Sequence, residues 1–244
     1  MSGFETHFAN SGGVDFSGDH EPLPVETMNE LAELAARYPQ SRSALLPMLH
    51  LVQSVQGRIT PAGIEACADT LGITAAEVNG VATFYTMFKR QPVGKHHIGV
   101  CVTALCAIMG GDAIAEKVEE YLGVGHNETT ADGAFTYERV ECNAACDYAP
   151  VVMVNWEFFD TMNPDSTIEL IDKLRAGEEV ASTRGATITS WREAERVIAG
   201  FPDGRVDEGP SAGLQSQLGL KLAKRHGWQA PPATATAPQK EEQQ

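Results

Sequence analysis

Apolar residues recur every three or four positions between residues 24 and 91, which is the spacing of helices that bury one face. One such helix is predicted over residues 24–38, where Pro39 ends it, and a second over residues 43–56. Thr60 and Pro61 indicate the start of a third helix, and a capping box from Thr74 to Glu77 begins a fourth that extends to Phe88. The pattern therefore predicts a four-helix region over residues 24–92.

After Gly94 the pattern changes to short apolar runs rich in β-branched residues, which is typical of strands. Strands are predicted at residues 97–102, 135–141, 151–154 and 157–159, and helices at residues 112–122 and 166–175. The order strand, helix, strand, strand, strand, helix is that of a thioredoxin-like domain with a mixed sheet flanked by helices. The predicted fold class is α/β, with this domain over residues 93–180.

Both ends of the chain lack a comparable pattern. Residues 1–23 are rich in Gly, Ser and Asp and are expected to form a flexible arm. Residues 181–244 are interpreted as a C-terminal extension with helices at 190–198 and 215–226 and a disordered tail from residue 231. We expect its Trp191, Phe201 and Trp228 to pack on another protein, because the extension has little core of its own. The alternative is that they fold back onto the rest of the chain.

Charge and hydropathy exclude several classes of partner. The formal net charge is −15, with 33 acidic and 18 basic residues, which argues against nucleic acid and against adsorption to an anionic membrane. No apolar run reaches the roughly 18 residues of a membrane span, so direct membrane insertion is not expected. Five cysteines in 244 residues is too few for a disulfide scaffold, and no signal peptide is evident, so the compartment is expected to be reducing.

Four of the five cysteines form two close pairs, and each pair follows a predicted strand. The first pair is Cys101 and Cys106, separated by four residues, and the second pair is Cys142 and Cys146, separated by three. Four converging thiolates form a site that suits iron or zinc. The spacings are wider than those of structural zinc sites, and two separated pairs suit a [2Fe-2S] cluster, in which each iron takes two thiolates. Cys67 lies in a predicted amphipathic helix and is expected to fill the core.

Three alternatives compete with a cluster. Unligated buried thiols are common in cores, although two loop-borne pairs are more typical of ligands. A thiol–disulfide enzyme uses two residues between its active cysteines, and neither pair has that spacing. A zinc-stabilised scaffold without a redox role stays open. The sequence has neither a P-loop nor a Gly-x-Gly-x-x-Gly motif, so a redox role would depend on partners.

Three stretches of the sequence resemble one protein family, the thioredoxin-like [2Fe-2S] component of respiratory NADH:quinone oxidoreductase (complex I), which is the E subunit in bacteria. The resemblance covers about residues 31–175. The stretches are Cys101-Val-Thr-Ala-Leu-Cys106, Cys142-Asn-Ala-Ala-Cys146-Asp-Tyr-Ala-Pro150 and Gly80-Val-Ala-Thr-Phe-Tyr85. The family often has Leu-Gly after the third cysteine, where this chain has Asn143-Ala144, so the backbone donors to the cluster sulfurs are expected to differ.

The resemblance implies a cluster held by Cys101, Cys106, Cys142 and Cys146 that exchanges an electron with FMN. It implies that FMN and NADH are bound by a partner subunit, and that this chain has no complete active site of its own. Its other partners would be iron–sulfur subunits of the peripheral arm, on the cytoplasmic side of the cell membrane. The equivalent subunit of a soluble NAD-linked formate dehydrogenase or hydrogenase shares the cysteine pattern and remains the alternative.

Overall fold

The computed structural model describes residues 21–209 and 213–230, so most of the expected N-terminal arm and the expected tail from residue 231 lie outside the described residues. The described residues form nine α-helices and five strands. The helices are α1 (Val25–Ala36), α2 (Leu45–Gln56), α3 (Pro61–Leu71), α4 (Ala75–Phe84), α5 (Ala104–Ile108), α6 (Gly111–Leu122), α7 (Pro164–Arg175), α8 (Trp191–Ile198) and α9 (Leu218–His226). The strands are β1 (His96–Cys101), β2 (Glu128–Thr129), β3 (Phe135–Val140), β4 (Val152–Val154) and β5 (Glu157–Phe159).

The five strands form one mixed sheet in the order β2-β3-β1-β4-β5. Strand β1 runs parallel to β3 and antiparallel to β4, and the two outer pairings are antiparallel. Apolar side chains of β1, β3 and β4 share a core with those of α6 and α7. The predicted α/β class with a mixed sheet is therefore confirmed.

Helices α1–α4 pack around a separate apolar core, in which Leu31, Leu49 and Val78 are fully buried. The predicted caps are present, because the Thr60 hydroxyl accepts from the Gly63 N–H and Thr74 and Glu77 form a reciprocal capping box. Cys67 is fully buried in this core, as expected, and burial raises the pKa of its thiol to about 12.

Three local predictions were wrong. Helix α4 ends at Phe84 and does not reach Phe88, because the chain turns so that the Phe88 ring enters the core and the Lys89 carbonyl accepts from the Ile59 N–H at 2.7 Å. Strand β2 was missed because it contains only two residues. Cys106 was expected in a loop but lies in α5, a helix of five residues.

Two of the three aromatic residues that were expected to pack on another protein instead pack on the rest of the chain. Trp191, at the start of α8, is fully buried, and α8 packs on α2. Phe201 packs against the core of the N-terminal helices, and only Trp228 among the three aromatic residues is exposed, at 67%. Ser190 explains the start of α8, since its side chain and that of Glu193 form a capping box. The alternative of folding back therefore holds for two of the three side chains.

Within the described ranges, none of the helices has the length and apolar character that crossing a membrane requires.

Candidate metal centre

The parallel pairing of β1 with β3 brings the two cysteine pairs to one edge of the sheet. Cys101 is the last residue of β1 and pairs in register with Val140, the last residue of β3. Cys142 follows two residues later, and Cys146 begins a short 3-10 turn that ends at Tyr148. Two separate sequence regions thus supply thiols to one place because parallel strands end at the same edge.

A glycine at the start of α6 lets this helix approach the backbone of the first pair closely. A Cβ atom on Gly111 would lie 2.5 Å from the Cys101 carbonyl oxygen and 2.8 Å from that of Cys106. Real Cβ atoms do not approach backbone this closely, so only glycine fits. The close approach lets α6 begin directly beneath both cysteines.

All four thiols line one pocket that is open to solvent. The first pair is buried, whereas the second pair is exposed. The remaining lining comes from Asn143, Ala145 and Val151. The pocket therefore has an apolar inner side and an open outer side.

The thiols contact each other within pairs. The Sγ atoms of Cys142 and Cys146 lie 3.5 Å apart, and the thiol of Cys106 is hydrogen-bonded to that of Cys101. In the described ranges, no group of three or more His, Cys, Asp and Glu side chains is placed to hold a single metal ion. Four cysteine sulfurs in two pairs are the donor set that a [2Fe-2S] cluster takes, so the residues present fit that group.

Two polar groups lie within hydrogen-bond distance of the sulfurs. The Ala144 N–H lies 3.4 Å from Cys142 Sγ, and the Thr103 hydroxyl oxygen lies 3.3 Å from Cys101 Sγ. Ala144 has a φ of 56°, in the left-handed region that favours glycine. This conformation turns its N–H toward the sulfur, so a backbone donor to Cys142 is present in the stretch where the sequence departs from the family pattern.

The thiols of the site differ in acidity. Burial, followed by the contact with Cys101, raises the pKa of Cys106 to about 11. The hydrogen bond from the Ala144 backbone, followed by that from the Cys146 thiol, lowers the pKa of Cys142. Because its thiol donates to Cys142, the pKa of Cys146 is raised. The exposed Cys142 thiol is therefore more acidic than the buried Cys106 thiol.

Sequence reasoning found the four cysteines but missed the residues around them. Thr103 is two residues from Cys101, yet nothing in the sequence distinguishes it from other threonines. Arg184 is 38 positions beyond Cys146 in the chain and stacks on the ring of Tyr148. Only the fold brings Arg184 to the site. The one sequence feature that could have drawn attention to it is its positive charge in a chain with 33 acidic and 18 basic residues.

A family model described as thioredoxin-like [2Fe-2S] ferredoxin matches residues 31–175 of the chain. The chain belongs to this family. The match confirms the family that the cysteine motifs resembled, and its span agrees with the expected extent. The expectation of a cluster-binding fold is thereby supported for the region that holds both pairs.

Curated relatives of the family extend the similarity beyond that region. The chain is 55% identical over 201 residues to the NADH-quinone oxidoreductase E subunit of Mycobacterium bovis. This alignment covers 82% of this chain and 80% of the relative. It is 39% identical over 153 residues to "NADH-quinone oxidoreductase subunit 2" of Thermus thermophilus, covering 62% of this chain and 84% of the relative.

Among solved structures, an air-oxidized NAD+-reducing [NiFe]-hydrogenase aligns with a TM-score of 0.49 at 20% identity, over 55% of this chain and 23% of that chain.

Proposed function

We propose that this chain is an electron-transfer subunit of an NADH:quinone oxidoreductase and that its pocket holds one [2Fe-2S] cluster. The ligands in this proposal are both thiols of the first pair and both thiols of the second pair. The observation that carries the proposal is that two distant cysteine pairs line one pocket, in a chain of the thioredoxin-like [2Fe-2S] ferredoxin family. The 55% identity to a relative named as the E subunit of this oxidoreductase supports the choice of complex.

The residues of the pocket suit one-electron transfer. When bound, a [2Fe-2S] cluster accepts one electron and returns it. The Ala144 N–H and the Thr103 hydroxyl are within reach of cysteine sulfurs, and such donors favour the state with the additional negative charge. Val151 and Ala145 are buried beside the first pair and keep water from it. The exposed second pair is then the side at which an electron enters and leaves.

The proposal places the rest of the reaction on partner subunits. FMN and NADH bind to a neighbouring subunit, and the flavin exchanges an electron with the cluster in this chain. Other iron–sulfur subunits of the peripheral arm complete the assembly, on the cytoplasmic side of the cell membrane. This chain then has no catalytic residue of its own and acts as part of the oxidoreductase.

The ligands are tested by replacing Cys142 with serine in anaerobically purified full-length protein. Wild type should contain about two irons and two acid-labile sulfides per chain and give the axial EPR signal of a reduced cluster. Cys142→Ser should abolish or change that signal. Cys67→Ala is the matched control, because it removes a thiol that lies in the helical core, and should leave the signal intact.

Stoichiometric zinc without visible charge-transfer bands in wild type would contradict the cluster. The complex is tested separately by purifying a tagged chain from its native host. Membrane subunits should co-purify with it, whereas recovery with a soluble formate dehydrogenase or hydrogenase alone would contradict the assignment to complex I.

A further inference from the structure

Residues far along the chain pack against the turn that carries Cys146. This turn, Cys146–Tyr148, is called here the Cys146 turn. Its first residue is an exposed thiol at the open side of the pocket. The backbone on both sides of an exposed turn needs contacts from elsewhere in the fold to hold one conformation, and the C-terminal residues supply such contacts from two directions.

Arg184 makes the first set of contacts. Its guanidinium group binds Asp160 through both Nε, at 2.8 Å from Oδ2, and Nη2, at 2.8 Å from Oδ1. The same group stacks on the Tyr148 ring, with Cζ 5.0 Å from the ring centroid, and on the Phe158 ring at 4.8 Å. Nη2 also lies 3.9 Å from Asp147 Oδ1. One side chain therefore touches two of the three residues of the Cys146 turn.

The segment before α9 makes the second set. The Ser216 hydroxyl donates to Asp147 Oδ2 at 2.7 Å, and the Gln215 N–H donates to the Tyr148 hydroxyl at 3.3 Å. Gly213 lies so close that a Cβ atom there would be 2.0 Å from that hydroxyl. Arg184 and this segment thus both contact Asp147 and Tyr148, the two residues of the turn that follow Cys146.

The Arg184 contact has the features of a fixed interaction. The side chain of Asp160 is only 9% exposed and that of Arg184 22%. A planar guanidinium group that forks onto a carboxylate and stacks on aromatic rings has little freedom to reorient. It also balances charge, because its positive charge lies between Asp160 and Asp147 on the side of the pocket where the thiols are exposed.

Given the proposed cluster, on which this inference rests, we propose that Arg184 is a positioning residue for Cys146. It fixes the Cys146 turn through Tyr148 and Asp147, and it offsets the two carboxylates beside the outer edge of the site. Loss of Arg184 removes one of the two sets of contacts that hold the turn, and it leaves the charge of both carboxylates without this cation. Because negative charge near a cluster opposes its reduction, the midpoint potential should then fall.

The experiment compares three variants of the full-length, cluster-loaded chain. Arg184→Met removes the charge and the fork, and Arg184→Lys keeps the charge but loses the fork. Arg196→Met is the matched control, since Arg196 also forks onto a carboxylate, that of Glu30, and stacks on an aromatic ring, that of Phe201, in a region that does not line the pocket. Circular dichroism and thermal unfolding establish folding before EPR and a redox titration are recorded.

We expect Arg184→Met to change the EPR g values and to lower the midpoint potential. Arg184→Lys should recover the potential but not the g values, because it restores charge without geometry. Arg196→Met should match wild type in both measurements. If Arg184→Met does not fold, Arg184→Lys is the decisive variant, because it keeps the charge, loses the fork and should change the g values alone.

Wild-type g values and potential in Arg184→Met, or wild-type g values in Arg184→Lys if it is used instead, would overturn this inference. A wild-type chain without any cluster signal would instead overturn the proposed function, so the two failures are distinguishable.

Discussion

The two cysteine pairs sit in different surroundings, although their side chains are chemically identical. The first pair is buried and packs with apolar residues, whereas the second pair is exposed. Burial raises the pKa of Cys106 in the inner pair, whereas the Ala144 N–H lowers the pKa of Cys142 in the outer pair. The site is therefore asymmetric, and single hydrogen-bond donors should have measurable effects on it.

Thr103 provides such a donor. Replacing it with valine keeps the shape of the side chain but removes the hydroxyl at 3.3 Å from Cys101 Sγ. A hydrogen bond worth about 1 kcal/mol that favours the reduced state corresponds to roughly 40 mV for a one-electron couple, since 59 mV is a tenfold change. We expect Thr103→Val to lower the midpoint potential by a few tens of millivolts in a redox titration.

Thr103→Ser retains the hydroxyl and should keep the wild-type potential. Equal potentials in the valine variant and in wild type would show that the hydroxyl does not act on the sulfur in the loaded site.

At this scale the sequence pattern singled out the four cysteines that the structure brings to one pocket, because close cysteine pairs are rare in cores. It did not predict Thr103 or Ala144, since their roles depend on backbone conformation.

The start of α6 determines how closely the helix approaches the first pair. Gly111 allows its backbone to meet the carbonyl oxygens of Cys101 and Cys106 without a side chain between them. Helix α6 also packs against α7 and the sheet, which limits how far it can move away. A side chain at this position must therefore displace the cysteines rather than the helix.

Gly111→Ala should destabilise the protein and reduce its cluster content. Overpacking of a fixed site costs about 1–3 kcal/mol, and the strain falls on the backbone of both cysteines of the first pair. Urea unfolding and iron analysis measure the two effects. Gly80→Ala is the control, because a Cβ atom on Gly80 in α4 would meet nothing within 4 Å; it should gain about 0.5–1 kcal/mol. Full cluster content in Gly111→Ala would contradict the expected displacement.

Element prediction succeeded where periodicity and capping agreed. Thr60, Thr74 and Ser190 each cap the helix that follows, and these signals are visible in the sequence. The end of α4 was not predictable, because apolar spacing continues to Phe88 while burial of that ring requires the chain to leave the helix. Tertiary contacts thus decide a boundary that local sequence leaves open.

A buried carboxylate joins three parts of the molecule. Glu195 in α8 is fully buried and accepts hydrogen bonds from Gln53 Nε2 at 2.8 Å and Trp156 Nε1 at 2.7 Å. Its Oε2 atom also lies 2.6 Å from His50 Nδ1. His50 and Gln53 belong to α2, and Trp156 connects β4 to β5. The helical region, the sheet and the C-terminal residues therefore meet at one side chain.

Glu195→Ala should destabilise the whole chain strongly. It leaves the buried partners of the carboxylate without an acceptor, and breaking such a buried network costs about 3–5 kcal/mol. Glu65→Ala, which changes an exposed glutamate of α3, should stay within about 0.5 kcal/mol of wild type. Chemical denaturation followed by tryptophan fluorescence measures both. A similar free energy of unfolding in the two variants would show that the network contributes no net stability.

His96 makes the stability of the chain depend on pH. Burial, followed by the charge of Lys95, lowers the pKa of His96 from 6.5 to about 4. The unfolded chain therefore binds a proton near pH 6.5 that the folded chain does not, so stability is full above that pH and is lost as the pH falls toward 4. We expect wild type to lose on the order of 1–2 kcal/mol more than His96→Gln between pH 7 and 5.

Equal losses of unfolding free energy in wild type and His96→Gln, measured by urea unfolding at each pH, would contradict this assignment.

At the scale of the whole molecule the sequence was least informative. The residues next to Trp191 in the sequence do not show whether its ring is buried in this chain or docks on a partner. Trp191 is fully buried and begins α8, which packs on α2, and α2 precedes it by more than a hundred positions.

The contact between Ser216 and Asp147 spans 69 positions of the chain, which has a consequence for biosynthesis. A ribosome synthesises the chain from its N-terminus, so all four cysteines leave the exit tunnel before Ser216 does. A nascent chain at that stage has every thiol of the pocket but not the contacts that hold the Cys146 turn. Iron delivered during translation would meet an incompletely held site, whereas iron delivered after release would meet the finished one.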